Sequence, residues 1–303
     1  MERRDTDVSS RYNKFSRYLI DRYGEKVWKI PVDAGLRCPN RDPGRGREGC
    51  LFCRVDSFSR TFAEAGAPLE EQIQAGIRTG RTRFGINRFI VYFQASTNTF
   101  APVEFLREIF YRAIEHEHVV GLSIATRPDC LPEAVLELLS GLARTTDLWI
   151  ELGLQSFDDD VLRMLNRGHT VEDYFRAVNA LSALPLRICT HLMFGLPSED
   201  AGSAARQIRV HEVKCHPLLL LHQTPMADLY RRGEIEPLTL DQYVHRICDF
   251  LERIPAETVI QRLTAEAPAE QLIAPNWAGN KLAVLNRIEA ELERRDSRQG
   301  CYC

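Results

Sequence analysis

The sequence predicts an α/β protein: a (β/α)6-type barrel, incomplete, with a C-terminal helical extension. Two observations predict it. Short apolar, β-branched runs alternate with longer amphipathic segments along most of the chain. The runs are near-continuously apolar rather than alternating, which marks parallel strands covered by helices. An open doubly wound sheet is the rival, but no GxGxxG follows the first run, which weakens a dinucleotide-binding reading.

The first strand is expected at 27–33 (VWKIPVD) and the second at 88–94 (RFIVYFQ). Four more follow at 119–127, 147–156, 186–195 and 215–223, with a weaker candidate at 258–263. After Pro102, Val103, Leu106, Phe110 and Ala113 fall on one helical face; after Pro132, Val135, Leu138, Leu139 and Leu142 do the same. Further helices are read at 171–184 and at 198–213, the second capped by Ser198. Segments 238–254 and 276–295 read as C-terminal helices. The organisation expected is an N-terminal segment (1–26), a core barrel (27–235) and a C-terminal extension packed on it (236–303).

A chain of 303 residues with 44% hydrophobic and 27% charged content has ample core for one large domain. The net charge of −3 excludes a globally basic nucleic-acid binder. Two local basic clusters remain, Arg78, Arg81, Arg83 and Arg88, and Arg231 with Arg232. Either serves to hold phosphates outside a barrel mouth or is a solvated face. No apolar signal core opens the chain and no run reaches membrane-spanning length. A cytoplasmic location without membrane contact, with mostly reduced cysteines, is therefore expected.

Nine cysteines are present. Cys130, Cys189, Cys215 and Cys248 lie in apolar or amphipathic segments and read as small buried hydrophobes. Cys301 and Cys303 sit in the terminal CYC. The remaining three, in CPNRDPGRGREGCLFC, are Cys38, Cys50 and Cys53. A disulfide would use two thiols and a structural zinc would want four ligands, with no histidine in the sequence nearer than His116. Three thiolates suit a [4Fe–4S] cluster that leaves one iron open.

In a parallel barrel, chemistry collects where strands end. There the sequence reads QASTNT, TRPDC, ELGLQS, HLMFGLPSE and LHQTP. Glu151 and His191 interrupt apolar strands. Each alone is equally well read as a satisfied core residue or as a functional one; several converging on one mouth favour function.

These residues resemble the radical S-adenosylmethionine (SAM) superfamily. CLFC is similar to the end of its cluster loop, and the longer first gap fits the branch that includes the Elp3, MiaB and NifB-like proteins. YGEKVWKIPVDAGLRCPNRD, YFQASTNTFAP, GLSIATRPDCLP, ELGLQSFDDDVLRMLNRGH, THLMFGLPSE and RLTAEAP with LIAPNW narrow the resemblance to the YhcC/YtqA-like family. Pro43 and the TAEAP stretch (264–268) depart from its pattern. The resemblance implies a radical SAM barrel with a [4Fe–4S] cluster on Cys38, Cys50 and Cys53. The open iron would chelate SAM, and its reductive cleavage would yield a 5′-deoxyadenosyl radical. By motif position, Phe52, Gln94, Ser96, Thr97, Ser123, Thr126, Gln155, Arg167, Gly195 and Leu196 would surround SAM. Glu151 and His191 would orient substrate or move a proton. It further implies action on tRNA, converting the carboxymethylaminomethyl group of the wobble uridine to aminomethyl, with a reductase such as flavodoxin or ferredoxin supplying electrons. A small-molecule or protein substrate is the alternative within this chemistry, and a zinc-dependent RNA-binding module the alternative outside it.

Overall fold

The computed structural model describes residues 10–41, 49–54, 57, 61–64, 66–197 and 200–303. The first described helix is α1 (Phe15–Tyr23), stopped by Gly24 in the left-handed region and followed by β1 (Val27–Val32). Next come α2 (Leu69–Phe84), β2 (Arg88–Phe93), α3 (Val103–Ile114), β3 (Val119–Thr126), α4 (Glu133–Leu142) and β4 (Asp147–Gln155). Then follow α5 (Asp159–Met164), α6 (Val171–Ser182), β5 (Arg187–Phe194), α7 (Ala201–Gln207), β6 (Glu212–Pro217), β7 (Leu220–Leu221) and α8 (Pro225–Arg231). The chain ends with α9 (Leu240–Arg253), β8 (Val259–Arg262), β9 (Leu272–Ala274) and α10 (Lys281–Arg294).

Seven strands form one parallel sheet in the order β1-β2-β3-β4-β5-β6-β8. The sheet is curled into a half-barrel, with helices on its outer face. The first five expected strands and the weaker seventh are in it, the sixth is there only in shifted position, and β8 comes from the segment beyond residue 235. The strand-edge gap is bridged at depth: Lys29 Nζ on β1 donates to Gln261 Oε1 on β8 at 2.8 Å. Below that, Lys14 bridges Ile260, and Phe15 meets the buried ring of Trp149 edge-on. Lys14 and the start of α1 therefore close the bottom of the half-barrel, and its mouth lies at the other end, where the strands finish.

Two expectations need correction. The strand placed at 215–223 is β6 at Glu212–Pro217, and the helix placed at 198–213 is only α7. Register explains the first: Val213, Lys214 and Cys215 pair with Thr190, His191 and Leu192 of β5. Beyond Pro217 the leucine run leaves the sheet. Leu218 and Leu220 pack with Met193, Leu196 and Met226, while Leu219 and Leu221 pack with Ala265 and Ala278. β7 instead pairs with β9 in a separate antiparallel ribbon. Ser198 lies outside the described residues, as does Pro43; the described cap of α7 is Asp200, whose side chain accepts from Ser203 N. No described helix is long and apolar enough to cross a membrane.

Candidate active site

Cys38, Cys50 and Cys53 line one cavity at the strand ends, together with Phe52, Gln94, Ser96, Thr97, Thr126, Gln155 and Arg167. Its volume is about 190 Å³. Its floor and far wall carry Glu151, His191, Lys214, His216 and Arg262. Expected residues from five separate segments thus meet in one place. Ser123 is fully buried one layer below, hydrogen-bonded to Glu151. Gly195 and Leu196 do not line the cavity: Leu196 packs in the apolar cluster with Met193, Leu218 and Met226, and Gly195 (φ +102°) turns the chain against Leu218 and Leu238.

The cysteine segment is held by contacts distant in sequence. Leu51 N donates to Leu165 O at 3.1 Å, and Met226 N of α8 donates to Leu51 O at 3.0 Å. Asn166 Nδ2 donates to Gly49 O at 2.7 Å, and Asn40 Nδ2 donates to Asn166 O. The NRGH turn (166–169) is thus the clamp of the cysteine loop. Its Gly168 has φ +69°, and a Cβ there would lie 2.8 Å from Asn40 Oδ1, so both conformation and space demand glycine.

Cys50 Sγ accepts from Asn40 Nδ2 and from Arg167 Nη1, each at 3.2 Å. Two donors aimed at one buried sulfur are what a thiolate ligand needs. Burial first, and Cys50 second, push the Cys53 thiol up to about 11, so without metal it keeps its proton and would release it on binding. Every cysteine is a free thiol. Among the described residues no set of three Cys, His, Asp or Glu side chains is disposed around a single ion. A cubane cluster makes a different demand, with each thiolate on a separate iron. Three thiols around one cavity, one already hydrogen-bonded, fit that group.

Two residues at the mouth hold left-handed backbone that side chains rarely adopt: Ser96 (φ +66°) and Gln155 (φ +83°). At Gln155 the β4–β5 register slips. The kink turns its side chain to His216, 3.1 Å from Oε1 to Nε2.

The floor is an ion cluster built around one carboxylate. Glu151 is fully buried. Oε1 accepts from Lys29 Nζ (2.5 Å) and Ser123 Oγ (2.7 Å). Oε2 accepts from Tyr92 OH (2.8 Å), His191 Nε2 (2.6 Å) and Lys214 Nζ (2.7 Å). Burial alone would raise its pKa, but Lys214 and Lys29, with His191, outweigh it and hold the carboxyl well below the usual range. Burial brings Lys214 down to about 8, against the pull of Glu151. Burial also lowers His191 to about 4 and His216 to about 3, so both rings are neutral at physiological pH. A second buried carboxylate, Glu212, accepts from Trp149 Nε1 (2.8 Å), Arg187 Nε (2.5 Å) and Gln261 Nε2.

Sequence reasoning did not single out Lys29, Lys214, His216 or Arg262. Lys29 gave the same signal as Glu151, a charge inside an apolar strand. Lys214 and His216 are two apart on β6, the spacing of one strand face, but the misplaced sixth strand hid the pattern. The TAEAP turn reaches the cavity through Ala265. The basic cluster expected outside the mouth is at the opposite end: Arg78, Arg81 and Arg83 lie on the C-terminal half of α2, and Arg88 is the first residue of β2. Arg231 and Arg232 end α8, whose start is hydrogen-bonded to the cysteine loop, and are on the mouth side.

The sequence pattern of the Radical SAM superfamily matches residues 37–205, more than half of the chain, and that of the Radical_SAM C-terminal domain matches 210–294. The chain is 39% identical to YtqA of Bacillus subtilis, over 98% of this chain and 94% of that protein. It is 34% identical to YhcC of Escherichia coli, over 89% and 88%. The chain belongs to the YhcC/YtqA-like family of radical SAM enzymes. The family uses a [4Fe–4S] cluster and SAM, and its members need an electron donor. This removes the reading as a zinc-dependent RNA-binding module. Among solved structures, Elp3 of Methanocaldococcus infernus shares the fold, with a TM-score of 0.68 at 19% identity; it covers 90% of this chain, which spans 64% of that one. A weaker sequence similarity, 28% over 51% of this chain and 30% of the other, joins it to a protein named tRNA uridine(34) acetyltransferase in Methanocaldococcus jannaschii.

Proposed function

We propose that this radical SAM enzyme modifies the wobble uridine of tRNA, converting its carboxymethylaminomethyl side chain to aminomethyl. The observation that carries the reading is the similarity, across half of the chain, to proteins named for uridine 34 of tRNA. The cavity is consistent with it. A single-stranded anticodon loop can splay a base into a barrel mouth, as a paired base cannot.

Cys38, Cys50 and Cys53 are the residues that would hold the cluster. Bound there, the cofactors supply a 5′-deoxyadenosyl radical able to take a hydrogen atom from substrate. Gln94, Ser96 and Thr97 after β2, Thr126 at the end of β3, and Gln155 with Arg167 would bind SAM, with Phe52 beside it. The stacking of Phe52 under the Arg167 guanidinium, 5.9 Å from centroid to Cζ, fixes both side chains. His191 is anchored on Glu151 and reaches the cavity, so it would position substrate or carry a proton, with Glu151 fixing its orientation. Flavodoxin or ferredoxin would serve as electron donor.

The direct assay mixes reduced enzyme and SAM with tRNA bearing carboxymethylaminomethyluridine, then digests the RNA. Aminomethyluridine is the expected product. Unaltered nucleoside, from enzyme that makes 5′-deoxyadenosine, would reject the tRNA substrate and direct the search to small molecules and proteins.

A further inference from the structure

The cavity is lined by several cations, and one of them has no partner among the described residues. Lys214 and Lys29 are committed to Glu151. Arg127 is paired with Asp129. Arg167 donates to Cys50 Sγ and to the carbonyl of Gly153, and is assigned to SAM. Arg262, the last residue of β8, lines the cavity but makes no side-chain hydrogen bond or ion pair among the described residues. Its Nε is shielded from solvent with no acceptor. A guanidinium N–H shielded from solvent without an acceptor costs desolvation and returns no hydrogen bond to the fold. Its neighbours add no counter-charge: His191 and His216 are neutral, held low first by burial and then in part by Arg262 itself.

We propose that Arg262 is the receptor for a carboxylate of the substrate. Three features select that ligand. The guanidinium fork matches a carboxylate through two parallel hydrogen bonds. The residues proposed for SAM come from the ends of β2, β3 and β4 and from the NRGH turn, whereas Arg262 stands on the opposite wall with His216 and Lys214. An RNA phosphate is a poorer occupant, since a base splayed into the barrel leaves its backbone outside. The assignment rests on the reading of the substrate as a nucleoside with an acidic side chain, and it identifies what distinguishes that nucleoside from its product. The aminomethyl product lacks the carboxylate and so cannot make this contact.

The test measures binding by calorimetry on cluster-loaded protein with SAM present. The ligands are free 5-carboxymethylaminomethyluridine, free 5-aminomethyluridine, and anticodon stem–loops carrying each. The parent should prefer the carboxylate form by roughly 10- to 100-fold, the range of a charge-assisted bidentate contact. Arg262→Gln should erase that preference, and Arg262→Lys, which keeps the charge but not the fork, should retain part of it. Iron content, melting temperature and SAM affinity should stay at parental values in both. An Arg262→Gln protein that still prefers the carboxylate, or a parent with no preference, overturns the assignment. So does a loss of SAM affinity in Arg262→Gln matching its loss of nucleoside affinity, which would give the guanidinium to the cofactor. A parent that ignores both stem–loops yet shows the Arg262-dependent preference for the free nucleoside supports the assignment and rejects tRNA as substrate.

Discussion

Glu151 could not stay ionised at the bottom of this cavity without Lys29 and Lys214, which hold its two oxygens. Removing one member of such a cluster leaves uncompensated charge in the interior. Glu151→Gln should therefore lose about 3–5 kcal/mol of stability, read as a lower denaturant midpoint. Adding Lys29→Met should recover part of the loss; no recovery would mean that the two charges are not coupled. The histidines set a pH dependence whose sign can be worked out. Their folded values, about 4 for His191 and about 3 for His216, lie below the roughly 6.5 of an unfolded histidine. As pH falls the unfolded chain takes up protons that the folded chain refuses. This stability is complete above about pH 6.5 and is lost as pH drops towards 4. Glu151 adds a further loss below the ordinary carboxylate range, because its folded pKa is depressed. His191→Gln combined with His216→Gln should flatten the melting temperature between pH 6.5 and 4.5. An unchanged slope would show that the rings are protonated in the fold.

At the scale of elements, the cysteine loop depends on the NRGH turn, which lies more than a hundred residues further along. Gly168→Ala should push Asn40 off Cys50 and lower iron retention while the apo-protein keeps its fold by circular dichroism. Full iron retention would remove the clamp from the account. This dependence also bears on what could be read in the sequence. The cysteines, the strand-end polar residues and the two interrupting side chains were legible because each broke a local pattern. The clamp was not, because nothing local in Asn40 or Gly168 reveals a partner so distant. α2 escaped for another reason. Gly76 and Gly80 interrupt its apolar stripe where the helix lies against β1 and β2; a Cβ would come within 2.3 Å of Ile30 and 2.4 Å of Phe89. The contact that fixes the helix thus erases its periodicity. The sixth strand slipped because CHPLLLLH is more apolar than EVKCHP, although Lys214 and His216 of EVKCHP line the site.

Over the whole molecule, the half-barrel has a closed end and a working end. α1 and the buried Glu212 cluster seal the bottom; the cysteine loop, α8 and the end of β8 surround the mouth. This polarity sorts the arginines. Reversing charge at Arg231 and Arg232 should weaken tRNA binding and reduce its salt dependence, whereas reversal at Arg81 and Arg83 should leave both unchanged. The opposite pattern in filter binding would place the RNA on the far side of the sheet. The central claim, that three cysteines gathered at one mouth make this chain a radical SAM enzyme, is tested most directly by anaerobic reconstitution of the parent and of single cysteine variants. Iron, acid-labile sulfide and 5′-deoxyadenosine are then measured after reduction with SAM. The parent should hold about four irons and release 5′-deoxyadenosine, Cys189→Ala and Cys248→Ala should match it, and Cys38→Ala, Cys50→Ala and Cys53→Ala should each lose the product with the cluster. Full iron, sulfide and 5′-deoxyadenosine in Cys50→Ala would contradict the account.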